Sequence, residues 1–333
     1  MSPKNVESTE VVIPARGVTP WLSLSLSSIA SQNLQPAGVI IVDDGLDDRP
    51  AVDDMGRGLF GERFRLLKNM SRGISAALNT GIQQSSARWI VRMDADDVAH
   101  PNRFQQQLDF LKDAPEDVLG CGTQVRFINP AGRVLGYSHL PLSWEETSEQ
   151  MLYKTCFVHS TLVLRREALL TTPYRPTMDG AEDVDLVLRL SETGKILNLN
   201  QVLLDYRVHL NQESFRFRAR HTAVQELAFR LALCRRQKAM DPLETDPELA
   251  EKFIQWRLST PGYVGSRTFL TALRYMKTHL YGFDVKGFTR CATVGLRSLP
   301  MRPSSLSIAW RVFRKAGAAL LDQPTPFALL NTN

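Results

Sequence analysis

The feature that most constrains the fold of this chain is the alternation of short apolar runs with amphipathic segments over its first two hundred residues. The apolar runs predict buried strands at Val11–Pro14, Val39–Val42, Phe64–Leu67 and Trp89–Met93. Helical patterns lie between or after them, at about residues 20–32, 74–84 and 101–112. Strands that alternate with helices predict an α/β fold with a doubly wound, mainly parallel sheet.

The second half of the chain has a different pattern. Residues 118–137 indicate a β-hairpin around an Asn-Pro-Ala-Gly turn, residues 182–193 a helix, and residues 196–199 and 202–208 two short strands. Beyond residue 211 only helical patterns occur, at about 219–238, 248–258, 265–281 and 305–321. We therefore predict an α/β domain over residues 8–215 and a helical C-terminal region over residues 216–333.

Charge is divided unevenly between these regions. Residues 1–209 hold 21 Lys and Arg against 26 Asp and Glu, whereas residues 210–333 hold 19 against 9, so the net charges are −5 and +10. Basic amphipathic helices are typical of surfaces that bind anionic membranes, but the same helices are also expected of a cap that packs on the main domain. No nucleic-acid-binding motif occurs, so we expect no nucleic-acid partner.

The localisation follows from two absences in the sequence. The N-terminus is polar and lacks the apolar stretch of a signal peptide. No run of about 18 apolar residues occurs either, which is the length that spans a bilayer. We expect a cytoplasmic protein that can lie at the inner face of the cell membrane.

Two carboxylates follow the second predicted strand. The run Val39–Val42 is followed directly by Asp43, Asp44 and a glycine, which places both acids at the carboxyl end of the strand. Ligands of open α/β sheets bind at that edge. A polar turn without a ligand is the simpler alternative.

A denser acidic cluster follows the fourth predicted strand. Asp94, Asp96 and Asp97 place three negative charges within four residues, which is costly unless a cation relieves the repulsion. Mn²⁺ and Mg²⁺ prefer such oxygen ligands. In an extended segment Asp94 and Asp96 would point the same way and Ala95 the other. The alternative is a solvated acidic turn.

Two further groups of polar residues lie later in the chain. Glu182 and Asp183 open the predicted helix, where carboxylates interact well with the helix dipole and where one of them could also serve as a general base. Arg207 and His209 would share a face of the last predicted strand, presenting a cation and an imidazole to a diphosphate or a metal. A purely structural role remains open for both pairs.

Several common nucleotide-binding signatures are absent. The sequence has no GxGxxG after its first strand and no GxxxxGK[ST], which leaves dinucleotide binding and P-loop chemistry without support. A bound nucleotide would instead be held by carboxylates and a metal.

Taken in order, these pieces resemble the family 2 inverting glycosyltransferases, which have the type A fold and include enzymes of bacterial polysaccharide biosynthesis. The resemblance covers roughly residues 8–215. It is carried by Val11–Pro14, Ser27–Gln32, Ile41–Gly45, Asn69 with Gly73, Asn79 with Gly81, Asp94–Asp97, Glu182–Asp183 and Tyr206–His209.

The resemblance implies a role for each matching position. The catalytic residues would be Asp183 as general base and Glu182 as its support. The metal, Mn²⁺ or Mg²⁺, would be held by Asp94, Asp96 and His209. The residues expected to bind the nucleotide-sugar are Pro14, Asp43, Asp44, Asn69, Asp94 and Arg207.

The implied reaction is transfer of a hexosyl group, with inversion, from a nucleotide diphosphate-sugar to an acceptor hydroxyl. We expect a UDP-sugar as donor and a glycan or lipid-linked acceptor in cell-surface polysaccharide or glycolipid synthesis. The alternatives are a nucleotidyltransferase, for which a glycine-rich basic phosphate loop is missing, and a nucleotide-sugar-binding scaffold without catalysis.

Overall fold

The computed structural model describes residues 8–17 and 20–268, together with positions 270, 272, 289, 291–294 and 297. The helix predicted at 305–321 lies outside the described residues, as does most of the one predicted at 265–281. Within the described part of the chain, none of the helices is both long and apolar enough to cross a membrane.

Nine strands form one sheet in this part of the chain. They are Thr9–Ala15 (β1), Gly38–Asp43 (β2), Phe64–Lys68 (β3), Trp89–Arg92 (β4), Val98–Ala99 (β5), Val118–Ile128 (β6), Val134–Tyr137 (β7), Val163–Arg165 (β8) and Lys195–Arg207 (β9). The order is β3-β2-β1-β4-β8-β6-β9-β5, with β7 paired to β6. Strands β3, β2, β1 and β4 are parallel, β8 is antiparallel to both of its neighbours, and β6 is parallel to β9.

The helices that the structure describes connect and cover these strands. They are Leu22–Ala30 (α1), Arg49–Phe60 (α2), Ile74–Gln84 (α3), Arg103–Asp113 (α4), Trp144–Gln150 (α5), Arg166–Thr171 (α6), Glu182–Leu190 (α7), Glu213–Arg216 (α8), Arg218–Arg236 (α9), Pro242–Thr245 (α10) and Leu249–Ser259 (α11). The predicted α/β class is confirmed, as is the mainly parallel arrangement, which holds for strands β1 to β4.

Alternating residues of the central strands pack into two hydrophobic layers, one on each face of the sheet. Val11 and Ile13 of β1 pack with α1, α2 and α4 on one face of the sheet. Val12 packs on the other face with residues of α3, α7, α9 and α11. Because side chains alternate along a strand, a run that is apolar at every position is what a doubly covered sheet requires.

The structure differs from the sequence analysis in two local features. Helix α2 was not predicted, because its glycines and acidic residues mask the few apolar positions it buries; Gly56 is needed there since any side chain would clash with the Phe64 ring. The two strands predicted at 196–199 and 202–208 are one strand, β9, whose pairing with β6 continues through register shifts.

Helix α9 joins the basic region to the rest of the molecule. Its residues Val224, Leu227 and Leu231 are buried in the same hydrophobic cluster as Leu186 and Leu190 of α7. The described part of the C-terminal region therefore packs on the α/β layers as a cap. The division into domains at residue 215 stays a prediction.

Candidate active site

The carboxyl ends of the parallel strands β1 to β4 meet at one edge of the sheet, where the predicted site residues lie. Pro14 is half-buried near the end of β1, opposite Val42 of β2. The backbone N–H of Asp44 donates to the carbonyl of Ala15 at 2.9 Å, and that of Asn69 donates to the carbonyl of Asp43 at 2.9 Å. These bonds tie the loops after three strands into one surface.

Asp43 and Asp44 differ in what they contact. Asp43 accepts from the backbone N–H groups of Gly45 and Leu46, at 2.8 and 2.7 Å, and from Arg49 at 2.8 Å. Burial works to raise the pKa of Asp43, but these hydrogen bonds outweigh it and the pKa is lowered. Both oxygens of Asp43 are thus engaged within its own loop.

Asp44 faces the next loop instead. Its Oδ1 accepts from Asn69 Nδ2 at 2.7 Å and from the N–H of Gly73 at 3.0 Å. Gly73 has φ +106°, and a side chain there would collide with the carboxylate of Asp179. The predicted nucleotide residues Asp44 and Asn69 are therefore in direct contact, and Gly73 is glycine because the backbone and the neighbouring acid both require it.

The acidic cluster lies on a turn, which corrects the predicted extended segment. Strand β4 ends at Arg92, and residues 95–96 form a tight turn before β5. The side chains of Asp94, Asp96 and Asp97 nevertheless converge, with one carboxylate oxygen from each lying within 4.8 Å of the others. The turn brings Asp97 into the group, whereas an extended strand would have pointed it away.

Residues from the end of β9 complete this cluster. His209 Nε2 lies 2.9 Å from Asp96 Oδ2, and the His209 ring packs on Trp21 with centroids 4.7 Å apart. Arg207 donates to the carbonyls of Asp96, Asn129 and Pro130 at 2.9, 3.2 and 3.2 Å. Arg207 is only 2% exposed, so it supports the turn from the protein interior. Its predicted contact with a diphosphate stays a prediction.

The electrostatics of the cluster suit a divalent cation. Burial, and then the charges of Asp96 and Asp94, raise the pKa of Asp97 well above its usual value. Burial also raises the pKa of Asp94, against the opposing charge of Arg92. Asp97 Oδ2 and His209 Nδ1 are buried without hydrogen-bond partners among the described residues. Clustered carboxylates with an adjacent imidazole fit Mn²⁺ or Mg²⁺.

The second acidic group lies at the start of α7. Glu182 is 8% exposed and accepts from the N–H of Gly180 at 2.9 Å, while His159 Nδ1 lies 3.7 Å from its Oε1. Burial, and then the neighbouring charge of Asp183, raise the pKa of Glu182 to about 8. Burial lowers the pKa of His159 well below its usual value, so the ring is neutral and hydrogen-bonds the Tyr174 hydroxyl at 2.8 Å.

Asp183 and Asp185 point into different surroundings. Asp183 lines a small pocket together with Lys154, Phe157 and His159, and burial raises its pKa. Asp185 is fully buried and pairs with Arg189 Nη2 at 2.8 Å. Of the two, only Asp183 opens onto a space that a substrate group could enter. The burial of Asp185 in an ion pair argues against a role for it as the base.

Arg92 contacts the acidic turn, its charge acts on the second acidic group, and it was not anticipated from the sequence. Its Nη1 lies 2.5 Å from Asp94 Oδ2. Its charge also acts to lower the pKa values of Glu182 and Asp183, against burial. An arginine at the last position of an otherwise apolar strand was the available signal, because such a side chain must find an anion when it is buried.

Comparison with known proteins agrees with this architecture. The mannosyltransferase PcManGT of Pyrobaculum calidifontis, solved with GDP-Man and Mn²⁺, superposes with a TM-score of 0.52 over 94% of this chain and 86% of that one, at 16% identity. The chain therefore has the type A glycosyltransferase fold.

Sequence relatives define the family. The profile of glycosyl transferase family 2 matches residues 10–171. EpsE of Bacillus subtilis (strain 168), named as a glycosyltransferase, is 30% identical over 224 residues, 65% of this chain and 78% of EpsE. The O-antigen biosynthesis glycosyltransferase WbnJ of Escherichia coli is 27% identical over 213 residues, 63% of this chain and 83% of WbnJ. Two other curated relatives are larger synthases, of which the match spans 21%. This protein is a member of glycosyl transferase family 2.

Proposed function

We propose that this glycosyltransferase moves a hexosyl group from a nucleotide diphosphate-sugar to an acceptor hydroxyl, with inversion and with the help of Mn²⁺ or Mg²⁺. The observation that carries the proposal is that two acidic groups are held by neighbouring residues. The carboxylates of the turn converge beside His209. The N–H of Asp94 donates to Ser160 Oγ at 3.0 Å, and the preceding residue, His159, lines the pocket with Asp183. The charge of Asp94 is close enough to raise the pKa of Asp183 beyond the effect of burial.

The nucleotide would lie across the ends of β1 to β3. Pro14 and the backbone after it would border the base, and Asp44 with Asn69 would bond to its edge. Asp43 belongs to the same loop and would shape it, because its oxygens are already engaged by Gly45, Leu46 and Arg49. We propose a UDP-sugar as donor.

Asp94, Asp96 and His209 would hold the divalent ion. The ion would supply positive charge where negative charge develops on the departing diphosphate. Arg207 fixes the carbonyl of Asp96 and so keeps the turn in place from behind.

Asp183 would take the proton of the acceptor hydroxyl. Glu182, whose pKa is raised to about 8, would hold its own proton at neutral pH, and Asp183 is the member of the pair that we propose as the base. A base on one side of the anomeric carbon and the leaving diphosphate on the other produce inversion, as in inverting glycosidases. Glu182 supports the base through its bond to the Gly180 backbone.

The acceptor is proposed to be a glycan or a lipid-linked sugar in cell-surface polysaccharide or glycolipid synthesis. WbnJ, which acts in O-antigen biosynthesis by name, supports this assignment. The charge of +10 over residues 210–333 supports a peripheral position on the anionic inner face of the membrane. The full chain should then bind vesicles with anionic lipid, less so at high salt; equal binding to neutral vesicles, or none to either, would contradict the membrane position.

The donor and the stereochemistry can be tested together. Thermal unfolding is measured with UDP-, GDP-, dTDP- and CMP-sugars, with and without Mn²⁺; a ligand at 100 times its dissociation constant adds about 2.7 kcal/mol of stability. Stabilisation by a UDP-sugar that needs Mn²⁺ is expected. Proton NMR of the transfer product should show the inverted anomer. A retained anomer would refute the mechanism, and binding without any turnover would favour the scaffold alternative.

A further inference from the structure

Arg92 occupies an unusual place for a charged side chain. It is the last residue of β4 and is 4% exposed. Its backbone is held within the sheet, since its N–H donates to the carbonyl of Leu162 at 2.8 Å and its own carbonyl accepts from Arg103 at 3.0 Å. Because side chains alternate along a strand, Arg92 lies on the same face of the sheet as Ile90, which is the face that α7 covers.

Stability alone does not account for this residue. Taking a guanidinium out of water costs several kcal/mol, and a buried ion pair returns that cost only when the remaining donors are satisfied. Arg92 Nε and Nη1 are both buried without a well-aligned hydrogen bond among the described residues, although Nη1 lies in an ion pair 2.5 Å from Asp94 Oδ2. By contrast, both Nε and Nη2 of Arg189 reach Asp185, at 2.9 and 2.8 Å.

The surroundings of Arg92 explain what the charge does. Asp94 is in contact with Arg92. Leu162, whose carbonyl accepts from the Arg92 N–H, lines the same pocket as Asp183. The charge of Arg92 accordingly acts to lower the pKa values of Glu182 and Asp183, against burial. The carboxylates of the turn and those at the start of α7 would repel one another. The positive charge of Arg92 lowers that repulsion and attracts the carboxylates of both groups.

We infer that Arg92 is a positioning residue that ties the metal-side carboxylate Asp94 to the Glu182–Asp183 pair, and so sets the distance between donor and base. This inference rests on the proposed function, because it assumes that Asp183 is the base. An error of about 1 Å in such a distance can cost on the order of 10²-fold in rate.

The test compares Arg92→Met with the control Arg189→Met in the full-length enzyme. Arg189 is also a mostly buried arginine paired with an aspartate, but its partner is Asp185 and not a site carboxylate. We expect Arg92→Met to lower kcat by about 10²-fold. We expect Arg189→Met to lower Tm while leaving kcat of the folded enzyme unchanged. Calorimetric binding of the donor with Mn²⁺ should weaken less than kcat falls in Arg92→Met.

A double variant separates positioning from a general loss of structure. In the Asp183→Asn background the base is already absent, so adding Arg92→Met should lower kcat by much less than 10²-fold. If Arg92→Met does not fold, Arg92→Lys is the second variant. It retains the positive charge without the planar guanidinium and its several N–H donors, and it should fold with an intermediate kcat. Normal kcat in a folded Arg92 variant, or losses that multiply in the double variant, would overturn the inference.

The two proposals fail in distinguishable ways. Full activity of Asp183→Asn would refute the assignment of the base, and with it the proposed function. An inactive Asp183→Asn beside a normal Arg92→Met would refute only the role of Arg92.

Discussion

The acidic turn and the start of α7 each contain three carboxylates within four residues, yet they use them differently. In the turn, Asp94, Asp96 and Asp97 converge to within 4.8 Å of one another. In α7, the helical rotation of about 100° per residue separates the three side chains. Glu182 meets Gly180 and His159, Asp183 lines the pocket, and Asp185 pairs with Arg189.

The difference shows that the backbone decides whether clustered acids form one site or several. Carboxylates that converge repel one another, and a bound cation relieves that repulsion. Divergent ones can have unlike environments and therefore unlike protonation, which is what a base and its support require. If the comparison is right, substitutions in the turn should act together on donor binding, whereas substitutions in α7 should act on separate properties.

The largest effect is expected at Asp183. Asp183→Asn keeps the shape but removes the basicity, so kcat should fall on the order of 10²–10⁴-fold with donor affinity almost unchanged. Asp185→Asn is the matched control on the same helix. It leaves Arg189 without its partner, so it should lower Tm while the folded fraction retains its kcat. Near-normal turnover of a folded Asp183→Asn enzyme would place the base elsewhere.

A smaller effect, on binding, is expected in the turn. Asp96→Asn should weaken Mn²⁺-dependent donor binding at least about tenfold, because even the outer partners of metal ligands typically contribute 10–100-fold. Chelation with EDTA should have the same effect on the unaltered enzyme. Calorimetry with the donor measures both, and Asp113→Asn, at an exposed position at the end of α4, serves as the control. Unchanged binding in EDTA would rule out the metal site.

The smallest effect concerns stability and pH. Because the pKa of Glu182 is raised to about 8 in the folded protein, folding takes up a proton between the ordinary pKa of 4.5 and that value. This contribution is fully present below pH 4.5 and is lost as the pH rises through 8. Glu182→Gln cannot ionise, so its Tm relative to the unaltered protein should increase from pH 5 to pH 9, by on the order of ten degrees. A constant difference would mean that Glu182 is ionised throughout.

Much of the fold could be predicted because its signals are local. The central strands are apolar at nearly every position, and helix α3 was predicted with the bounds that the structure has, Ile74–Gln84. Helix α2 was missed because its N-cap, Asp48, and its few buried residues are embedded in a polar, glycine-containing segment. Its position on the sheet depends on contacts with residues distant in sequence, which no local pattern records.

The candidate site likewise has residues that could be predicted from the sequence and contacts that could not. The positions of Asp94, Asp96, Glu182 and Asp183 were evident from the sequence, because acids at a strand end or a helix start stand out locally. The sequence suggested neither the contact of His159 with Tyr174 nor the ion pair of Arg92 with Asp94. The first of these contacts joins residues that only the folded structure brings together.

The sequence by itself therefore determined the alternation of strands and helices and the strand end or helix start at which each acid lies, since hydrophobic periodicity is a property of neighbouring residues. Only the tertiary structure decided which carboxylates converge and which separate, and that Arg92 is the cationic side chain paired with Asp94. The physical reason is that a carboxylate's charge state and partners depend on burial and on groups many residues away. For Asp96 that distant partner is His209, 113 residues further along the chain.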